Sequence, residues 1–176
     1  MKKNILVFGL ISGVIVSSMM IYSTLACYND PDFESNMVLG YAAMIVAFSF
    51  IFVGVKNFRD KYNNGVISFG KAFKIGLYIT LIASTIYVGV WLVDYYLFLP
   101  DFIDKYSAHV IKEAQESGAT ASEISSKTTD MKELKEMYKN PLLVILITYT
   151  EIVPIGVVVS LIAAAILKRK QYQIAV

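Results

Sequence analysis

The stretch "ISFGKAFKIGLYITLIASTIYVGVW", Ile67 to Trp91, sets Lys71 and Lys74 against an uncharged run from Ile75 to Trp91. Crossing a hydrocarbon layer about 30 Å thick takes about 20 apolar residues in a helix. With the residues that follow Trp91, this run is long enough. The whole chain agrees with it: of 176 residues, 56% are hydrophobic and only 17% charged, at a mean hydropathy of +0.58. Soluble domains carry about 25% charged residues.

Four blocks of this kind occur, at about 4–26, 37–55, 73–99 and 142–167. The first two contain no charged residue, the third includes Lys74 and Asp94, and the fourth carries a single charge, Glu151. Backbone amides in lipid must be bonded within a helix or a closed barrel. Barrel strands would alternate polar and apolar residues over about 10 positions, and these blocks do not. The expected fold is therefore all-α, a single membrane domain over 1–176. It is a four-helix bundle with a helical extracytoplasmic segment at about 100–140 between helices three and four. The first block resembles a signal peptide, and "TLAC", Thr24 to Cys27, approaches a lipoprotein cleavage site. Its apolar run exceeds the usual signal core of about 7 to 15 residues, so it is read as a retained helix.

Basic residues in short connections mark the cytoplasmic side. Lys2 and Lys3, then Lys56, Arg59, Lys61, Lys71 and Lys74, then Lys168, Arg169 and Lys170 lie at one membrane edge, where the one acid is Asp60. The other side carries Asp30, Asp32, Glu34 and a segment of six basic and eight acidic residues. Both termini are expected in the cytoplasm, in the inner membrane. Lys71 and Lys74 then sit where helix three leaves the headgroups, their stems along apolar surface and their ammonium groups reaching back to water or lipid phosphate. Asn63-Asn64-Gly65 supplies the turn before them and Ser68 the N-cap. Selection of an anionic lipid is the functional alternative for this basic edge. At the opposite end, Trp91, Tyr95, Tyr96 and Phe98 read as an interfacial aromatic belt, with Asp94 wet among them.

Helices in lipid gain little from hydrophobic burial against each other, so they associate through small residues and interhelical polar contacts. Small residues recur every four positions at Gly9, Gly13 and Ser17, at Ala72, Gly76, Thr80 and Ser84, and at Gly156, Ser160 and Ala164. Ala43 and Ala47 form a weaker pair. These are expected seams within the bundle, with a homo-oligomer or another membrane protein as the alternative partner. In the soluble segment, Phe102, Ile103, Tyr106, Val110, Ile111 and Ala114 keep helical spacing and Gly118 stops the helix. "SGATASEISSKTT" reads as a polar linker, with a second helix opening at Asp130 and Glu133. A hairpin lying on the membrane or over the bundle is expected, a partner-binding module being the alternative.

Chemistry is sparse. One cysteine and one histidine form no familiar metal site, so no metal and no cofactor is expected. Cys27 and His109 fall on the same side without a telling spacing. Phosphate-loop, dinucleotide, nucleophile-elbow and zinc-protease patterns are absent, and the basic residues sit at membrane edges rather than on a nucleic-acid recognition fold. No catalytic residue is assigned and the protein is read as non-enzymatic.

Glu151, in "TYTEIVPIG", lies about nine residues, or roughly 13 Å, below the outer boundary. A charge at such depth costs at least about 2.5 kcal/mol, so the side chain should face the bundle and find partners or stay protonated. The same depth on the other helices brings Ser17, Ser18, Ser84 and Tyr87 to its level. Pro154 frees the backbone carbonyl near Thr150 and is expected to kink the helix. A polar clamp between helices is the preferred reading. A proton or ion site is the alternative, since transporters generally hold more than one intramembrane ionisable group.

"FGLISG" at Phe8 to Gly13, "RDKYNNGVISFGKAFKIGLYITLIAS" at Arg59 to Ser84, "YKNP" at Tyr138 to Pro141, "EIVPIG" from Glu151 and "SLIAAAILKRK" from Ser160 together cover much of the chain. In these stretches it resembles a bacterial family of small four-span membrane proteins known only as a domain of unknown function. The resemblance implies a four-helix inner-membrane protein and transfers no functional residue. Two functions follow from the residues: a structural or interaction subunit tied together by Glu151, or a small proton-linked transporter or channel, acting as an oligomer, with Glu151 as its titrating site.

Overall fold

The computed structural model of the protein describes residues 1–30, 33 and 37–169. Backbone amides are paired within seven helices among these residues: α1 (Lys2–Asn29), α2 (Met37–Phe48), α3 (Phe50–Tyr62), α4 (Phe69–Leu97), α5 (Phe102–Glu116), α6 (Ala121–Tyr138) and α7 (Pro141–Leu167). Four rods are long and apolar enough to cross a membrane: Lys2–Asn29, Val38–Tyr62, Phe69–Leu97 and Pro141–Leu167. The chain is a multi-pass membrane protein. Helices α2 and α3 form one of these rods, interrupted only at Ser49, whose hydroxyl donates to the Val46 carbonyl at 2.6 Å.

This rod does not stop at Val55. Nothing in the sequence breaks it before Asn63-Asn64-Gly65, where Asn64 (φ 52°) and Gly65 (φ 76°) adopt the left-handed conformation that reverses the chain. Lys56, Arg59 and Lys61 therefore continue a helix rather than populate a loop. Ser68 then caps α4, its hydroxyl accepting from the Lys71 amide at 3.3 Å. An antiparallel bridge between Ile67 and Arg169, with N–H···O distances of 3.0 and 2.9 Å, ties this turn to the end of α7.

The central rod is α4, with α1 and α7 packed along it. Small residues set both seams. A Cβ on Gly9 or Gly13 would lie within 2.8 Å of Ile82 or within 2.6 Å of Ile86. On the other side, a Cβ on Gly76 would meet the Ser160 hydroxyl at 2.8 Å, and one on Gly156 would overlap the Thr80 methyl. Thr80 and Ser160 share a hydrogen bond of 3.3 Å. Interhelical polar contacts also close the basic end, where Asn4 donates to the Gly54 carbonyl (2.9 Å) and accepts from Asn57 (2.6 Å).

Helices α5 and α6 form a hairpin that caps the opposite end. The expected linker from Ser117 to Thr129 is largely helix. Thr120 and Glu123 make a reciprocal capping box that starts α6 at Ala121, nine residues before the expected Asp130. Threonine followed three residues later by glutamate satisfies two orphan amides of the first turn, which outweighs the modest helix propensity of the Ser/Thr run. Gly118, at φ +78°, ends the preceding turn as expected.

A packing test separates the seam from the rest of α4 and α7. Gly156→Val forces the Thr80 side of the seam apart and should destabilise the purified protein by about 1–3 kcal/mol, read as a lowered Tm in detergent. Gly89→Ala, where an added Cβ meets nothing within 4 Å, should leave Tm unchanged.

Candidate functional site

Along α7, Ser160, Gly156, Ile152 and Thr148 follow each other at four-residue steps and all are buried. Glu151 precedes Ile152 by one residue, about 100° around the helix, so it leaves the seam and its side chain is exposed. Pro154 stands inside α7 without ending it. The Thr150 hydroxyl donates to the Ile147 carbonyl at 2.7 Å, turned back onto its own helix.

Glu151 borders two cavities in the half of the bundle next to the hairpin. One, of about 370 Å³, lies between α1 and α2 and is lined by Ser18, Met19, Met20 and Met44, with Tyr22 and Leu39 at its exposed rim. The other, of about 320 Å³, lies beneath the hairpin among Trp91, Phe102, Tyr106, Tyr138 and Thr148. Met20, Thr24, Tyr87 and Glu151 belong to both. Among the described residues, neither lining contains lysine or arginine.

Of the four residues expected at this level, Tyr87 and Ser18 join Glu151 at the cavities. Ser17 and Ser84 do not. They are buried with hydroxyls that have no hydrogen-bond partner. No hydrogen bond from a described side chain reaches the Glu151 carboxylate, so the expected ties to α1 and α4 are not formed. The contact that joins α4 and α7 higher up is Thr85 with Tyr149, at 2.8 Å on the bundle surface.

The aromatic belt is also rearranged. Trp91 is buried and packs edge-on against Phe102, with ring centroids 5.4 Å apart, while Tyr95 meets Tyr138 at 5.1 Å. Tyr96 and Phe98 face outward. Asp94 is not wet: it is 7% exposed, and Oδ2 has no partner. The cause is helical phase, because Tyr87, Trp91 and Asp94 share one buried stripe of α4, and Phe102 of α5 and Tyr138 of α6 line the cavity beside Tyr87 and Trp91. The sequence spacing of 87, 91 and 94 carried that signal, continuing the small-residue stripe of Thr80 and Ser84. The hairpin is further held by the Tyr28 hydroxyl donating to Asp101, Tyr96 donating to the Tyr138 carbonyl (2.9 Å), and an ion pair between Lys135 and Asp104. Lys105 stands 3.6 Å from the Tyr28 ring centroid. Cys27 and His109 both contact Phe33, the thiol at 3.6 Å from its carbonyl and the imidazole at 6.1 Å from its ring.

At the basic end, Lys71 bonds Asn63 Oδ1 at 2.8 Å and lies 5.1 Å from the Phe58 ring, while Lys74 stands 5.9 Å from Tyr78. Lys71 therefore folds onto the protein instead of reaching outward. Arg59 donates to the Leu167 carbonyl at 3.3 Å and pairs with Asp60 at 2.6 Å. Lys56, Lys61, Lys168 and Arg169 are exposed. Lys170 lies outside the described residues, as do Asp32 and Glu34.

Tyr138 reports on the cavity from outside the spans. Burial, followed by the nearby negative charge of Glu151, pushes its phenol up to about 12, against an opposing hydrogen bond with Trp91. The fold thus favours the neutral phenol. The associated stability is complete below about pH 10 and is lost as pH rises toward about 12. Glu151→Gln removes the charge, so the Tyr138 ionisation should move down. It can be isolated as the phenolate absorbance of the parent protein minus that of Tyr138→Phe. An unchanged titration would mean that the two side chains do not face one cavity.

Residues 7–169 match a family described as a protein of unknown function (DUF4199). No curated protein and no solved structure matches the chain.

Proposed function

Since the chain belongs to this family of unknown function, we propose from its own residues that it is a small, non-enzymatic, proton-linked membrane transporter with Glu151 as the titrating site. The observation that carries this reading is the carboxylate itself, open to two cavities about halfway along a membrane-spanning helix, with no basic residue among the described residues of either lining. A carboxylate in that setting is costly when charged and unpaired, and it is easily switched between protonated and ion-paired states. A structural clamp has less support, because the α4–α7 seam is complete without Glu151. Asp94, buried in α4, supplies a second intramembrane carboxyl, the feature whose absence counted against transport.

Charge asymmetry supports an orientation in the inner membrane with both termini cytoplasmic and the hairpin outside. In a Cys27→Ser background, a membrane-impermeant thiol reagent applied outside intact cells should label Ser126→Cys and spare Asn64→Cys. The reverse pattern would invert the topology.

Glu151→Gln keeps size and hydrogen bonding but cannot exchange a proton. In reconstituted vesicles it should fold with a Tm near that of the parent and lose pH-gradient-driven transport by about 10²-fold or more. A variant that folds and transports normally would refute the assignment. A variant that loses thermal stability and shows no proton-coupled defect would return Glu151 to a structural role.

A further inference from the structure

The chemistry of the Glu151 cavities narrows the class of cargo. Charge comes first: among the described residues of both linings, the one full charge is the Glu151 carboxylate. Among the described residues, the polar and titratable groups lining the two cavities with it are Ser18, Tyr22, Ser23, Thr24 and Cys27 of α1, Tyr87 and Trp91 of α4, Tyr106 of α5, Tyr138 of α6 and Thr148 of its own helix, while α2 contributes Leu39, Gly40, Ala43 and Met44. An anion would meet like charge in a low-dielectric site. A neutral ligand would leave the carboxylate without a counter-ion.

The walls point the same way. Tyr87, Trp91, Phe102, Tyr106 and Tyr138 surround the space beneath the hairpin, and the faces of such rings attract cations most strongly where water is excluded. The other compartment is lined by Met19, Met20 and Met44, flexible and polarizable side chains that adapt to varied apolar shapes. Its rim, Tyr22 at 73% and Leu39 at 45% exposure, stands on the side of the bundle. Each compartment falls at the small end of the range of about 300–1,000 Å³ typical of small-molecule sites.

Resting on the transporter reading above, we propose that the cargo is an amphipathic organic cation, taken from the bilayer through the α1–α2 face. Its positive centre sits against Glu151 among the aromatic rings, and its apolar body lies in the methionine-lined compartment. Cation and proton compete for one carboxylate: the neutral acid plus the cation gives the ion pair plus a released proton, so charge balances and no other reactant is needed.

The test uses the full chain in lipid nanodiscs with tetraphenylphosphonium and tetraphenylborate, ions of the same shape and opposite charge, measured by equilibrium dialysis against empty discs across a pH series. Saturable binding of the phosphonium, weakening as pH falls, with none of the borate, is expected. Glu151→Gln should weaken phosphonium binding by about tenfold or more and flatten its pH dependence. Tyr138→Leu, which leaves the carboxylate in place, should weaken binding and keep the pH dependence. Equal binding of both ions, or phosphonium binding unaffected by Glu151→Gln, would overturn the cargo class. The infrared carboxyl band lost in Glu151→Gln separates the two levels. A titrating band without phosphonium binding rejects the cation and leaves the proton site standing, whereas a band that never titrates removes the proton site as well.

Discussion

The close approach of α4 to its two neighbours governs this structure. Lipid tails are as apolar as leucine, so bundle helices are held by dispersion and by polar contacts made at short range. Both need small residues. Gly9 and Gly13 admit Ile82 and Ile86 on one side of α4, while Gly76 against Ser160 and Gly156 against Thr80 form a reciprocal pair on the other. Packing of this kind locks helical phase, and phase decides which side chains leave the seam.

The candidate site is a consequence of that phase. With Ile152 turned into the seam, Glu151 must turn out of it, and it does so where α1, α2, α4 and α7 leave space beside Tyr87. A polar residue that served as a clamp would be expected to spend its hydrogen-bonding capacity on neighbouring helices. The buried hydroxyls of Thr80 and Ser160 do this, and among the described residues Glu151 does not. The same register buries Asp94, along the stripe of Tyr87 and Trp91.

The hairpin completes the cavity rather than lying apart from it. Phe102 packs on Trp91 and Tyr138 on Tyr95, so α5 and α6 roof the bundle with the aromatic rings that line the space above Glu151. These rings have both an apolar body and a polar tip, a combination equally suited to a headgroup layer and to the wall of a site. Composition alone cannot distinguish the two uses. Position on the helix can, because Tyr96 lies about 140° around α4 from Trp91 and Phe98 stands just beyond the helix end, where both are exposed.

The sequence by itself determined what depends on local order: the apolar rods, whose length is dictated by bilayer thickness; the Ser68 cap and the turn at Asn64-Gly65; the stop at Gly118; and the small-residue stripes. It also contained the Thr120–Glu123 capping box, obscured by the polar composition around it. Tertiary structure alone decided the partners. Equal depth placed Ser17, Ser84 and Tyr87 beside Glu151, but depth is one coordinate, and rotation about each helix axis sent the two serines into the packed interior while Tyr87 reached the cavity. That rotation is set by contacts between residues far apart in the chain, such as Gly156 with Thr80, which is why it could not be read from any single helix.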